Sequence, residues 1–250
     1  ETANTNKSII WLTKLIVYLP SLAFWTLAPG KEPIFFLLIN IIIYKYSQNQ
    51  TKKALINNIS LMSLFLLFVI RPHVGLSLTL GFLTNFFLGI KERRGLVIRL
   101  LIITIIIFSV IKLVPFMLGY AGLSSFSLGV AKSVLEDRFS ASSESLNYPY
   151  AIRFLTYLFS PLPSIKINLL YVLEMIQTIF ISFYVYNLVK YFKPNLYFLK
   201  NPLFIYSIIL NAFLSLITFN IGISARQRWL VIPAIIISIM TSTKRLKRYN

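Results

Sequence analysis

Residues 55–90 read LINNISLMSLFLLFVIRPHVGLSLTLGFLTNFFLGI, two long apolar runs with only Arg71-Pro72-His73 between them. Each run approaches the roughly 17 to 25 apolar residues with which a helix crosses a bilayer. Proline disfavours helical backbone at the residue before it, so the pattern predicts a helix, a tight turn and a second helix running back. The stretch therefore predicts a helical hairpin within a membrane.

The rest of the chain is also strongly apolar. Of its 250 residues, 57% are hydrophobic and only 13% are charged, whereas about a quarter of the residues of a soluble domain are charged. The apolar runs are continuous and do not alternate with polar residues, which favours helices over a barrel. We therefore predict an all-α fold, a polytopic transmembrane helical bundle that forms one integral membrane domain over residues 1–250.

Eight apolar segments are predicted to span the membrane. The second is short, which is typical of a tilted or partly buried segment. The chain begins at Glu1 rather than at Met, so we treat eight as a lower bound that allows for a missing N-terminal part. In chain order the predicted spans are Ile9–Leu27, Pro33–Tyr46, Leu55–Ile70, Val74–Ile90, Leu96–Leu118, Ile167–Tyr191, Pro202–Phe219 and Trp229–Met240.

The charge balance has a simple explanation in a membrane protein. Lys and Arg outnumber Asp and Glu by 25 to 7, a net charge of +18, and cytoplasmic loops collect Lys and Arg. We therefore expect a lipid bilayer as a partner, and no nucleic acid. The chain has no cysteine and a single histidine, so we expect neither disulfides nor a protein-only metal centre, and no cofactor.

Basic residues also predict the orientation. They cluster in every second loop, which by the positive-inside rule places these loops and both termini of the chain in the cytoplasm. Three polar breaks then lie on the outer face: Gly30-Lys31-Glu32-Pro33, Arg71-Pro72-His73 and Ala225-Arg226-Gln227-Arg228. A long loop over residues 119–166 lies there too, and its amphipathic segment Tyr150–Phe159 predicts a helix in the membrane interface.

A charged residue at the edge of a hydrocarbon layer is costly, so each break is a candidate functional site. Arg226 and Arg228 are two residues apart, so in an extended segment both guanidinium groups face one side and suit an anionic ligand such as phosphate. The alternative is that they anchor the chain among lipid headgroups.

Arg71 and His73 flank a proline. Arg71 suits a pyrophosphate, and His73 has a side chain that titrates near neutral pH and suits a general base. The alternative is a polar turn with a hydrogen-bonded histidine. Glu174 lies well inside a predicted span, where we expect a structural or proton-sharing role with Lys166, Arg99 or Lys112 as its partner.

The breaks and one neighbouring segment together resemble the motifs of one family. The matching stretches are Pro20-Ser21 with Phe24-Trp25-Thr26 and Gly30-Lys31-Glu32; Arg71-Pro72-His73-Val74-Gly75-Leu76; Arg153-Phe154-Leu155 with Phe159-Ser160-Pro161-Leu162-Pro163; and Asn220-Ile221-Gly222 with Arg226-Gln227-Arg228 and Pro233. In this order they are similar to motifs of O-antigen-polymerase-like proteins and related GT-C-type multi-pass membrane glycosyltransferases of bacterial polysaccharide synthesis.

The resemblance implies an integral glycosyltransferase of the bacterial inner membrane. It would polymerise oligosaccharide repeat units linked to polyprenyl pyrophosphate at the outer leaflet, together with polysaccharide-assembly proteins. Arg71, Arg226 and Arg228 would stabilise the leaving pyrophosphate, and Glu32 or His73 would act as the base.

The resemblance also gives Lys31 a part in holding phosphate and Arg153 a part in binding the glycan or the pyrophosphate. Arg138, in the long outer loop, is a further candidate ligand for the glycan or the pyrophosphate. Two of the candidate residues also fit roles that need no ligand. Glu32 suits the first turn of a helix without any ligand, and Arg138 fits a solvated charge cluster beside Asp137.

Two other functions stay open: a flippase or transporter of lipid-linked oligosaccharides, and a non-catalytic membrane partner in envelope polysaccharide synthesis. A flippase lines its cavity with charges at the midplane. The predicted gathering of charges at one face favours the enzyme.

Overall fold

The computed structural model describes residues 32–49, 58–88, 149–158, 169–192, 196–217 and 227–246, together with the single positions Lys14, Ile16, Leu19 and Leu22. Within this part of the chain all regular structure is helical and no strand occurs, which confirms the all-α prediction there. Apart from those four positions, the predicted spans Ile9–Leu27 and Leu96–Leu118 lie outside the described residues.

Seven α-helices and two 3₁₀ helices occur in the described ranges. The α-helices overlap six of the predicted spans and the predicted interfacial helix. Proline stands in the first turn of four of the α-helices, where its missing N–H costs nothing. The α-helices are α1 Glu32–Asn49, α2 Asn58–Ile70, α3 Pro72–Leu88, α4 Tyr150–Tyr157, α5 Leu169–Phe192, α6 Pro202–Ile217 and α7 Ile232–Leu246; the 3₁₀ helices are Leu196–Lys200 and Arg228–Leu230.

The Arg71-Pro72-His73 break forms a one-residue connection. Helix α2 ends at Ile70, Arg71 alone is non-helical, and α3 begins at Pro72. The Arg71 N–H donates to the Leu67 carbonyl at 2.7 Å, and the Arg71 carbonyl accepts from Val74 and Gly75 at 3.0 and 3.2 Å. Helices α2 and α3 pack against each other, so the turn connects neighbouring helices as the sequence predicts.

Helices α3 and α6 make the closest helix contact. A Cβ placed on Gly81 would lie 2.5 Å from the Pro202 carbonyl oxygen and 2.9 Å from the Tyr206 nitrogen, so only glycine allows the two backbones this near. At the far end of the pair, His73 at the start of α3 stacks on Phe213 near the end of α6. The two helices are therefore antiparallel, and α6, which also packs on α4 and α7, is central to the described part.

Helices α2 and α5 expose many large apolar side chains. On α2 the side chains of Ser60 and Ser63 are buried while large apolar residues, Met62 and Phe65 among them, are about two-thirds exposed. On α5 one face is apolar and exposed along nearly the whole helix: Leu173, Ile176, Ile179, Phe183, Tyr186 and Val189. The buried residues of α5 are Ile181, Tyr184 and Leu188 together with the polar Gln177 and Thr178.

One helix segment among the described residues, Val172–Phe192, is long and apolar enough to cross a membrane. Three apolar helix segments are shorter: Asn58–Ile70, Pro202–Ser215 and Arg228–Ser242.

Candidate functional site

Two of the three polar breaks meet in the structure. Glu32 opens α1, Arg71 lies between α2 and α3, and although the two residues are 39 positions apart, Nη2 of Arg71 lies 3.4 Å from Oε1 of Glu32. We call this contact the break pair. The Arg71 side chain is 19% exposed and the Glu32 side chain is 20% exposed.

The aromatic ring of Phe35 contacts the arginine of the break pair. The Arg71 guanidinium carbon lies 4.3 Å from the centre of the Phe35 ring, a cation–π contact. Phe35 is one helical turn after Glu32 on α1 and is itself buried. Helix α1 therefore supplies both the anion beside the guanidinium and the aromatic face beneath it.

His73 lies in the same break, before the predicted span Val74–Ile90. Its ring stacks on Phe213 with centroids 5.5 Å apart, and its Nε2 is buried with no hydrogen-bond partner among the described residues. Burial lowers the pKa of His73, and the positive charge of Arg71 lowers it further. His73 is therefore uncharged at neutral pH.

Arg228 has a different environment. Its side chain is fully buried; Nη1 donates to the Thr178 hydroxyl at 2.8 Å, and Nη2 donates to Oε2 of Glu174. We call the Glu174–Arg228 contact the core pair. The predicted binding of an external anion by Arg228 would need an exposed guanidinium. The structure instead buries the Arg228 guanidinium among the helices, where it pairs with Glu174.

The chain around Arg228 is held by several helices. We call residues 227–231 the Arg228 turn: the 3₁₀ helix Arg228–Leu230 with Gln227 before it and Val231 after it. The Tyr157 hydroxyl of α4 donates to the Gln227 side chain at 2.9 Å, and the Tyr206 hydroxyl of α6 donates to the Leu230 carbonyl at 2.9 Å. The partners of this turn therefore come from α4, α5 and α6, and one of them, Tyr206, satisfies a backbone carbonyl at the break before α7.

Helix α4 is the predicted interfacial helix, shorter by two residues. It packs on α6, where the Asn211 side-chain amide donates to the Phe154 carbonyl at 3.0 Å, and it buries Tyr157. Leu155, on its other side, is exposed. Arg153 belongs to this helix.

The break pair and the Arg228 turn share one core. The turn contacts α1, which begins at Glu32. Phe35 belongs to the same buried apolar cluster as Tyr157 and Leu230. The remaining basic candidates Lys31, Arg138 and Arg226 lie outside the described residues.

Sequence reasoning did not connect Glu174 with Arg228, which lies 54 positions away. The available signals were an acid inside a long apolar segment and an arginine at the edge of another, because two such groups in an apolar core are stable only as a pair. The roles of Thr178, Tyr157 and Tyr206 had no comparable signal, since hydroxyl groups are common throughout the chain.

Among the described residues, no group of three or more His, Cys, Asp or Glu side chains is placed to hold a metal ion. Comparison with family models, with curated proteins and with solved structures finds no match for this chain.

Proposed function

We propose that this protein is a multi-pass membrane glycosyltransferase that polymerises oligosaccharide repeat units linked to polyprenyl pyrophosphate. The observation that carries the proposal is the break pair, which joins an arginine suited to pyrophosphate and a carboxylate suited to accept a proton from two separate breaks. The order of the family-like motifs along the sequence supports glycosyl transfer as the class of reaction.

The exposed apolar side chains of α2 and α5 support a membrane location. A continuous apolar face on a helix of 24 residues, roughly 36 Å long, matches the hydrocarbon thickness of a bilayer. Buried serines on α2 fit helix packing in lipid, where small polar residues let backbones approach and apolar side chains face outward. We propose about eight spans in the bacterial inner membrane, with both ends of the chain in the cytoplasm and the three breaks at the outer leaflet.

In the proposed reaction, a hydroxyl of the acceptor glycan attacks the anomeric carbon of the donor. The bond from that carbon to the pyrophosphate oxygen breaks, and the hydroxyl proton passes to the Glu32 carboxylate. Arg71 neutralises the negative charge that develops on the leaving pyrophosphate, where a positioned guanidinium is most effective. Lys31, Arg138, Arg153 and Arg226 remain proposed ligands for phosphate or glycan.

Arg228 receives another role in this proposal. Its donors are directed to Glu174 and Thr178, so it holds the Arg228 turn in place and does not bind substrate. His73 packs beside the break pair and shapes the site.

Substitution of Arg71 by alanine tests the function. We expect cells carrying Arg71→Ala to lose long polymer and to accumulate unpolymerised lipid-linked repeat units on the outer face. Lys190→Ala is the matched control, because Lys190 is an exposed basic residue in the last turn of α5. Normal polymer length in Arg71→Ala would overturn the proposed function.

The core pair favours one alternative, a flippase for lipid-linked oligosaccharides. An ion pair enclosed by helices is common along transport paths, where charged groups at membrane depth bind the cargo or the coupling ion. In that case Arg228 and Glu174 variants that still fold would accumulate repeat units on the cytoplasmic side. The side of accumulation therefore separates the two functions.

A further inference from the structure

Glu174 is an acid on the packed side of a helix long enough to cross a membrane. It lies five residues, roughly 7.5 Å, from the start of α5. It shares one face of the helix with Thr178 and Ile181, four and seven residues further along. Both of those side chains are buried, and Oε2 of Glu174 accepts from the buried Arg228. Glu174 therefore does not belong to the exposed apolar face of α5.

The Glu174 carboxylate keeps hydrogen-bonding capacity that the core pair does not use. Its side chain is 20% exposed, although that of its partner Arg228 is 0% exposed. Within the described part of the chain, its one side-chain hydrogen bond is the bond that Oε2 accepts from Arg228. Because an ionised carboxylate can accept about four hydrogen bonds, Glu174 can accept from a ligand while the core pair stays intact.

The charges of the core pair select the kind of ligand. One guanidinium and one carboxylate cancel, so that an anion would be repelled by Glu174 and a cation by Arg228. A neutral hydrogen-bond donor meets no such repulsion. A hydrogen bond to a charged acceptor is also roughly twice as strong as one between neutral groups. The hydroxyl groups of a sugar are neutral donors of this kind.

The position of Glu174 agrees with a glycan as the ligand. In the proposed orientation the start of α5 lies at the outer leaflet, where the glycan of a lipid-linked repeat unit is presented. The Arg228 turn contacts α1, which begins at Glu32 of the break pair. Phe36 of α1 packs against the apolar cluster that contains Trp229 of the turn. The turn therefore links the two pairs through direct helix contacts.

We propose that Glu174 is a sugar-binding residue: its carboxylate accepts hydrogen bonds from hydroxyl groups of a neutral sugar in the repeat unit, and Arg228 holds the carboxylate in position. The inference rests on the proposed function and adds a glycan subsite to it, separate from the pyrophosphate contact at Arg71. Such a subsite also contributes specificity, because a site built to bond a hydroxyl group binds an analogue without that group poorly.

Binding of a glycan that carries neither lipid nor pyrophosphate tests the subsite. The probe is the oligosaccharide repeat unit released by mild acid from the lipid-linked units of the same cells. It is titrated by calorimetry into the full chain in phosphatidylcholine nanodiscs. We expect Glu174→Gln to bind the probe about tenfold more weakly than the wild type, because a neutral acceptor replaces a charged one.

A second variant covers the case in which Glu174→Gln fails to fold. The double variant Glu174→Leu with Arg228→Met leaves neither charge of the core pair without a partner. It is expected to bind the probe at least as weakly as Glu174→Gln does. The unfolding midpoint of each variant is measured beside its affinity.

Ser182→Ala is the matched control on α5. The Ser182 hydroxyl donates to the Thr178 carbonyl at 2.7 Å, so the substitution removes a polar group from the same helix without changing either residue of the core pair. It is expected to bind the probe as the wild type does.

The subsite is overturned if the wild type does not bind the oligosaccharide, or if both Glu174 variants bind it as tightly as the wild type. An equal loss in Ser182→Ala also overturns it, since the loss then belongs to α5 in general. Failure of the proposed function looks different: Arg71→Ala then makes polymer of normal length. Loss of polymer in Arg71→Ala, with unchanged glycan binding in the Glu174 variants, leaves the function standing and removes only the subsite.

Discussion

The break pair and the core pair use the same two residue types in opposite ways. In the break pair, Glu32 and Arg71 lie 3.4 Å apart, with both side chains partly exposed. In the core pair, Arg228 has no exposed surface and makes hydrogen bonds to both Glu174 and Thr178. The first arginine is therefore partly accessible from outside, whereas the second is enclosed and donates to the protein through both of its terminal nitrogens.

The difference follows from the cost of moving charge out of water. An exposed pair separates at little cost because water solvates both ions. The Arg228 guanidinium is fully buried, although the Glu174 side chain is 20% exposed. A buried guanidinium cannot leave its carboxylate without a large desolvation penalty, so Arg228 holds one arrangement of the surrounding helices. The same two residue types therefore form a weakly held contact at one place and a structural anchor at the other.

The largest expected effect is on the core pair. Arg228→Met is expected to lower the free energy of unfolding by about 3–5 kcal/mol, because it leaves the Glu174 carboxylate without its guanidinium. Unfolding of the purified protein in mixed micelles, with sodium dodecyl sulfate as the denaturant, measures the change. The double variant Glu174→Leu with Arg228→Met is expected to recover at least half of the loss. A double variant as unstable as the single one would show that the ion pair is not the source.

A smaller effect is expected at the second partner of Arg228. Thr178→Val removes the hydroxyl that accepts from Arg228 and donates to the Glu174 carbonyl, and is expected to cost about 1–3 kcal/mol of unfolding free energy. Thr79→Val is the matched control, since the Thr79 hydroxyl bonds only to the Gly75 carbonyl of its own helix among the contacts described. Equal effects at the two positions would contradict a special role of Thr178 in the core pair.

The smallest effect is expected at the break pair. Glu32→Gln is expected to change the free energy of unfolding by less than about 1 kcal/mol. Raising the salt concentration from 0.05 to 0.5 M should reduce this difference further, since the Debye length falls well below 10 Å. The effect of Arg228→Met should stay the same over that range. A large loss of unfolding free energy in Glu32→Gln that does not depend on salt would show that the break pair stabilises the fold in the same way as the core pair.

Much of the helical framework was predictable because its signals are local. Pro33, Pro72 and Pro202 stand in the first turn of α1, α3 and α6, close to the predicted starts. The last predicted span, Trp229–Met240, coincides with an apolar helical segment that is interrupted near its start: residues 228–230 form a 3₁₀ helix and α7 begins at Ile232. Pro233 accounts for the break, because proline cannot donate the hydrogen bond that would continue a helix through it.

The candidate site was predictable to a lesser degree. Arg71 and Glu32 were expected to share a face, and the structure brings them into contact. Arg226 and Arg228 were treated as equivalent from their spacing, yet Arg228 is committed to Glu174. Spacing along the chain shows which side chains share one face of a segment, but not which distant segment packs against that face.

Apolar run lengths, proline positions and the shortage of charge were enough to determine helices at these places, since each signal acts within a few residues. Only the packing of α1, α5 and α6 around the Arg228 turn decided which arginine is exposed and which is buried. That choice depends on contacts between residues 39 and 54 positions apart. Because burial changes the cost of separating an ion pair by several kcal/mol, tertiary structure assigns different roles to two identical pairs of residues.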